Sequence, residues 1–185
     1  VRFLSNYFNR TVGTLLAMIC LALPLTRTVQ LASEVTNDTR TKMAEWINEN
    51  IPHGSKILID WIPYAPTFSK EAPYQVDMFP SGKLIVRMNA KDLKASGYDY
   101  LILSSLVYNR FFNQPQDNPV RRAVFRRVFE RVPIVKDKKP KYGSYGFHNP
   151  TLTMFSLKKE DFTKLEEELT AKKKGEIEKT SNEMK

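Results

Sequence analysis

The sequence predicts an α/β fold: a small sandwich built on a mainly parallel sheet and preceded by one transmembrane helix. Three observations carry that expectation. The run TVGTLLAMICLALPL, from Thr11 to Leu25, contains no charge. Beyond it, segments with helical spacing of apolar residues alternate with short β-rich runs, the pattern that lays parallel strands beside crossover helices. The two clearest runs, Ile57-Leu58-Ile59 and Tyr100-Leu101-Ile102-Leu103, are apolar at successive positions, as strands covered on both faces are.

The apolar run is bracketed by Arg10 and Arg27. It is apolar all round and has no face to offer water, which fits lipid better than the surface of a soluble domain. The interval between the arginines spans ~25 Å of helix, and their long stems reach outward to meet a ~30 Å hydrocarbon layer. Tyr7 and Phe8 stand where interfacial aromatics belong. A cleavable signal peptide and a buried soluble helix are the competing readings. The best cleavage motif is Gln30-Leu31-Ala32, and Gln is a poor residue at its first position. Arg2 and Arg10, with no acid in the first ten residues, favour a cytoplasmic N-side and an extracytoplasmic remainder. The expected organisation is a cytoplasmic-side stub at 1–10, a transmembrane helix at 11–31 and an extracytoplasmic domain at 34–158. A charged tail, helical or disordered, follows at 159–185. This places the chain in the cell membrane with residues 34–185 outside. Cys20, inside the apolar run, is expected to be a packing residue and not a reactive thiol.

After a polar joint at Ala32 to Thr36, Asn37-Asp38-Thr39 supplies capping chemistry for a helix over 40–50. Met43, Trp46, Ile47 and Ile51 form its apolar face, and Pro52 and Gly54 stop it. A strand follows at 55–60. Residues 61–82 carry four prolines among aromatics and read as a loop. A strand at 83–88, a short helix at 89–97 ended by Gly97, and a strand at 98–105 come next. Asn118-Pro119 opens a helix to about Arg131 that buries Val124, Phe125, Val128 and Phe129. A short strand at 133–135, a basic loop at 136–150 and an alternating strand at 151–157 complete the domain. Phe162, Leu165 and Leu169 suggest a turn or two of amphipathic helix before a fraying tail.

Composition excludes several chemistries. One cysteine permits no intramolecular disulfide or cysteine-based zinc site, and two histidines make a histidine metal centre improbable. No phosphate-binding glycine loop is present; Gly143-Ser144-Tyr145-Gly146 lacks the following helix and reads as a plain turn. Asp60 and Asp99, at strand ends, are candidate general acids or bases, against a plainer reading as strand-terminating or capping residues. Asp60 stands where α/β sheets place functional groups. His148 has no partner by spacing and reads as a loop residue. Asn37-Asp38-Thr39 also fits the N-glycosylation pattern.

The net charge of +9 invites a nucleic-acid reading, but the surplus is local. Ten basic and three acidic residues fall between Arg110 and Tyr142, and the apolar run is bracketed by three more arginines. On a domain tethered to a bilayer, such a patch suits lipid headgroups or a lipid phosphate, with a solvated helix face as the plainer alternative. The candidates for that contact are Arg110, Arg121, Arg122, Arg126 and Arg127. The expected partner is therefore the lipid bilayer and not nucleic acid.

Two phrases carry a family resemblance. Asp38-Thr39-Arg40 leads into Ala44-Glu45-Trp46-Ile47-Asn48-Glu49-Asn50-Ile51-Pro52-His53-Gly54-Ser55-Lys56-Ile57. Tyr98-Asp99-Tyr100-Leu101-Ile102-Leu103-Ser104-Ser105 later leads to Tyr108-Asn109-Arg110-Phe111. With the preceding apolar helix, they resemble the last span and C-terminal extracytoplasmic domain of GT-C glycosyltransferases, the superfamily of the protein mannosyltransferases, over roughly residues 11–158. The resemblance implies a polyprenyl-phosphate-linked sugar donor and a membrane core that this chain does not contain. The family's catalytic acid lies in a loop that would precede Val1, so no catalytic residue, metal or cofactor is carried over. The soluble domain is then expected to help position acceptor or lipid carrier. The alternatives are a single-span protein with a non-catalytic binding domain and a secreted α/β protein.

Overall fold

A computed structural model describes residues 2–69, 71–78, 93–114, 118–142, 149–167 and 170, with backbone alone for 2–10. Helix α1 runs from Arg2 to Thr36 without interruption. The polar joint expected at 32–36 is instead its last turn and a half, since neither Gly nor Pro interrupts the run after Pro24. Pro24 lies inside the helix without ending it; around it the Thr28 hydroxyl donates to Pro24 O (2.9 Å) and the Thr26 hydroxyl to Leu23 O (2.8 Å). Along the apolar run every described side chain is exposed, including Leu21, Leu23 and Leu25 at 65–69%. Cys20 is exposed with them and is not a packing residue among the described residues. This stretch is long and apolar enough to cross a membrane.

Asn37 and Asp38 break the helix. Asp38 accepts from the Arg40 backbone N–H (2.8 Å) as N-cap of α2, Thr39–Asn50. Pro52 and Gly54, with φ of +82°, turn the chain into β1, Lys56–Ile59. A 3₁₀ turn over Ile62–Tyr64 leads to β2, Gln75–Met78. Strand β3 spans Tyr100–Ser104 and runs straight into α3, Ser105–Asn113. Helix α4, Pro119–Arg131, precedes β4, Ile134–Lys138, and β5, Leu152–Ser156, closes the sheet. Gly97, at a φ of +78°, ends the short helical segment as expected. The expected strand at 83–88 and the first four residues of the helix at 89–97 lie outside the described residues.

The five strands are ordered β2-β1-β3-β5-β4. The sheet is parallel through β2, β1 and β3, and antiparallel where β5 pairs with β3 and β4. It is a mixed sheet of the α/β class, with helices on both faces. Side-chain alternation divides its core in two. Leu58, Leu101, Leu103 and Phe155 face α3 and α4 and pack with Tyr108, Phe111, Phe125 and Val128. Ile57, Ile59, Tyr100, Ile102 and Met154 face α2 and pack with Met43 and Ile47. All five residues of β3 and of β5 are buried, which is why β3 reads as a near-continuous apolar run; β5, read as alternating, buries Thr153 and Ser156 as well.

Two elements differ from expectation. Residues 75–78 form an edge strand within the expected loop, held by backbone pairing to β1, and edge strands need no apolar code on both faces. Strand β4 extends to Lys138, three residues into the expected basic loop, because backbone pairing of Lys136, Asp137 and Lys138 with Met154, Thr153 and Leu152 carries the sheet onward whatever the side-chain code.

Phe125 is fully buried, stacked on Phe111 at 5.4 Å between ring centres and near Tyr108 and Phe112. Phe125→Ala is expected to lower unfolding free energy by about 3–5 kcal/mol, read by urea denaturation in detergent micelles, with Phe125→Leu recovering much of the loss.

Candidate functional site at the helix-bound edge of the sheet

The parallel strands end at one edge, and the chain assembles its polar groups there. Asp60 directly follows β1, and Ser104 ends β3. From β1 the chain moves to β2 on one side and returns to β3 on the other, so these two residues flank the place where strand order reverses. Open α/β sheets bind ligands outside such a point.

Asp60 is 5% exposed. Its Oδ2 accepts the backbone N–H of Ser104 at 2.7 Å, while its Oδ1 has no hydrogen-bond partner among the described residues. The Ser104 hydroxyl is equally buried and equally without a partner there. Burial pushes the Asp60 carboxyl up to about 7, against the opposing pull of the N–H groups of Ser104, Trp61 and Asp60 itself. The positive N-terminus of α3 also favours the ionised form, and desolvation outweighs it. Nearby, Tyr108 is 8% exposed; burial chiefly raises its hydroxyl pKa, a hydrogen bond with Thr153 opposes this, and the charges of Asp137 and Asp60 add to the rise. Thr153 Oγ1 in turn donates to Asp137 Oδ1 at 2.8 Å. A carboxyl that changes charge near neutrality can give or take a proton, or hydrogen-bond a hydroxyl-rich ligand in either state. Asp99 lies at the other end of these strands: its Oδ2 accepts from Lys56 N–H (2.8 Å), joining the starts of β1 and β3.

The same edge holds the end of α1. Glu34 is 3% exposed, and its Oε1 accepts the Tyr142 N–H at 2.7 Å. Its Oε2 accepts from the side-chain amide of Asn149, which is fully buried. Asn149 Oδ1 accepts from the Thr39 N–H (2.9 Å) and lies 2.7 Å from Thr39 Oγ1; that hydroxyl is also 2.6 Å from the Pro150 carbonyl. Ser105 and Thr151 exchange two bonds of 2.9 Å, linking the segment before β5 to the start of α3. Last, Arg40 Nη2 pairs with Asp38 (2.6 Å), and its Nη1 donates to Pro63 O (3.0 Å). The α1–α2 junction therefore touches loops that follow β1 and β4 and precede β5. The glycosylation pattern at Asn37 lies inside this junction: the Asn37 side chain donates to Ser33 O (2.7 Å), and Thr39 is 2% exposed.

The arginines singled out from sequence lie elsewhere, on the α3–α4 pair. Arg110 and Arg121 both stand over the Phe111 ring, at 5.0 and 5.6 Å. Arg122 buries its Nε without a partner among the described residues, and Arg126 and Arg127 are exposed. None of the five makes an ion pair among the described residues. The lysines after β4 do reach the α1 end, because Glu34 holds Tyr142 next to Lys141. Sequence reasoning missed Glu34 and Asn149; they are more than a hundred residues apart, and only their burial marks them. His148 and Gly143–Gly146 lie outside the described residues. A cavity of about 360 Å³ between Pro133, Ile134, Val135, Ser156 and Leu165 opens at the opposite edge, where β4 begins. No cluster of metal-ligating side chains occurs among the described residues.

Comparison with known protein families, characterised proteins and solved structures finds no match.

The raised Asp60 pKa makes stability depend on pH. The folded state holds the proton more tightly than the unfolded chain, whose ordinary carboxyl value is 3.8. Stability is therefore greatest below that value, falls as pH rises toward about 7, and is level above it. The loss is on the order of 4 kcal/mol. Asp60→Asn keeps an acceptor for Ser104 and is expected to flatten this slope, measured as melting temperature against pH, with the variant the more stable at pH values above about 7.

Proposed function

We propose that the chain is the last span and extracytoplasmic domain of a GT-C type membrane glycosyltransferase that uses a polyprenyl-phosphate-linked sugar, and that the domain positions the acceptor or lipid carrier. The observation that supports this most directly is the course of α1. A helix fit for a bilayer continues without a hinge into the domain and is joined by Glu34 to the edge that carries Asp60. A domain held this way presents the C-terminal ends of its parallel strands toward the lipid from which such a donor comes. A carboxyl poised near neutrality suits contact with sugar hydroxyls, and it sits close to where a lipid-borne sugar would stand. The residue phrases around α2 and β3 supply the family resemblance.

In this arrangement, the N-terminal stub lies in the cytoplasm and residues 34–185 lie outside. The arginines on α3 and α4 are the lipid-phosphate or headgroup contact, since their guanidinium groups have no carboxylate to neutralise them among the described residues. The catalytic acid belongs to the membrane core.

Two measurements test the proposal together. In a Cys20→Ser background, Lys159→Cys is expected to react with an impermeant maleimide added to intact cells; labelling only after lysis contradicts the orientation. In neutral-lipid vesicles, the chain is expected to bind a short polyprenyl phosphate, and Arg122→Glu with Arg126→Glu to weaken that binding about tenfold. Equal binding by the two proteins removes the arginines from the contact.

A further inference from the structure

Outside α1, exposed large apolar side chains among the described residues are few, and their positions are uneven. Trp61, Ile62, Met78 and Tyr142 lie at the edge that holds the end of α1, against Val120, Ile134 and Val135 elsewhere. Trp61 directly follows Asp60 and is 40% exposed, with its ring tilted on Tyr64 at 5.7 Å. Ile62, the first residue of the 3₁₀ turn, is 62% exposed. Met78 ends β2 beside Ile59 and is 45% exposed. These side chains do not serve the core, whose two clusters contain none of the three. The turn is held in place: Arg40, two residues after the α1–α2 break, bonds Asp38 and Pro63 O together. Basic residues stand at the same end of the sheet: Lys42 is bonded to Asn37 in the α1–α2 junction (2.6 Å), and beyond the end of β4 lie Lys139, paired with Asp137 (3.2 Å), and Lys141.

The distance to lipid is short. With residues 11–31 in the hydrocarbon layer, α1 spans ~31 Å there, close to the ~30 Å thickness. Thr36 then stands ~7 Å further on, and a headgroup layer is about 6 Å deep. The α1–α2 break, and the turn tied to it through Arg40, therefore lie at the outer face of the headgroups. Tryptophan and isoleucine flanked by lysines are the residues that bind this layer, the ring and aliphatic chain in the interface and the ammonium groups among phosphates.

We infer that the turn Trp61–Tyr64, with Met78, is a second membrane contact that docks the domain's Asp60 edge onto the interface of the bilayer that α1 crosses. This rests on the membrane placement of α1 and not on glycosyl transfer. Two contacts hold a domain in one orientation where a single helix would let it tilt. The contact would also screen the route to Asp60 and Ser104 from bulk water, so that molecules lying in the bilayer surface have the shorter approach.

The test uses the 185-residue chain in phosphatidylcholine vesicles, with lipids brominated near the top of the acyl chains as the quencher. Trp46→Phe leaves Trp61 as the sole tryptophan, and Trp61→Phe leaves Trp46, which lies against the α2 cluster under Lys136. Trp61 emission is expected to fall about twofold on bromination and to shift to the blue relative to the detergent-solubilised protein, while Trp46 emission is unchanged. A nitrobenzoxadiazole label on Ile62→Cys, in a Cys20→Ser background, reads the same depth without removing either tryptophan. Resistance to alkaline extraction separates the outcomes. A chain that resists extraction but whose Trp61 and Ile62 reporters are unquenched overturns the second contact and leaves α1 as a span. A chain that extracts overturns both. Quenching that appears only when a protein partner is added would assign the patch to that partner and overturn the lipid contact.

Discussion

One buried carboxyl, that of Glu34, fixes how the long helix meets the α/β domain. Glu34 sits in the last turns of a helix whose apolar run is exposed, and it is buried between the Tyr142 amide and the Asn149 side chain. A buried carboxyl is stable only when its oxygens are bonded, and removing its partners would cost several kcal/mol. That penalty makes the joint between helix and domain specific. A flexible tether would leave the sheet free to turn any edge toward the end of α1; this joint presents one.

Which edge it presents follows from strand direction. Asn149 precedes β5, and β5 runs antiparallel to β3, so the start of β5 meets the end of β3. The register pairs Ser104 with Leu152 and Lys138 with Leu152, which brings the ends of β3 and β4 to the same level. Asp60 follows β1 at that level too. The clamp on Asn149 and Tyr142 is thus also a clamp on the C-terminal ends of the parallel strands, where α/β sheets carry function. Asp60 Oδ1 and Ser104 Oγ, buried at this edge and without a partner among the described residues, are the kind of local cost that structures retain at functional sites.

Much of the fold was legible in the residues because burial imprints itself on composition. β1 and β3 are apolar in succession, β5 alternates, and α2 and α4 space their apolar residues for one face. Helix α3 was less visible: Val107, Tyr108 and Phe111 have helical spacing but follow β3 without a break, so strand and helix read as one apolar run. The edge strand β2 was hidden for a different reason, since its contribution is backbone hydrogen bonding. At the site, Asp60 stood out by position, but its burial was not visible, because the side chains that cover it come from distant segments. Glu34 resembled an ordinary charge in a polar joint. Its partners lie 108 and 115 residues away, a separation that no local pattern encodes.

The central claim is that α1 and the α/β domain move as one body. It is tested most directly by an electron–electron distance measurement between spin labels at Val29→Cys on α1 and Glu49→Cys on α2, both exposed, in a Cys20→Ser background in bilayers. The account predicts one narrow distance distribution, which broadens when Glu34→Ala removes the clamp. A broad distribution in the chain with Glu34 intact would mean that the domain swings freely on its helix, and would contradict the account.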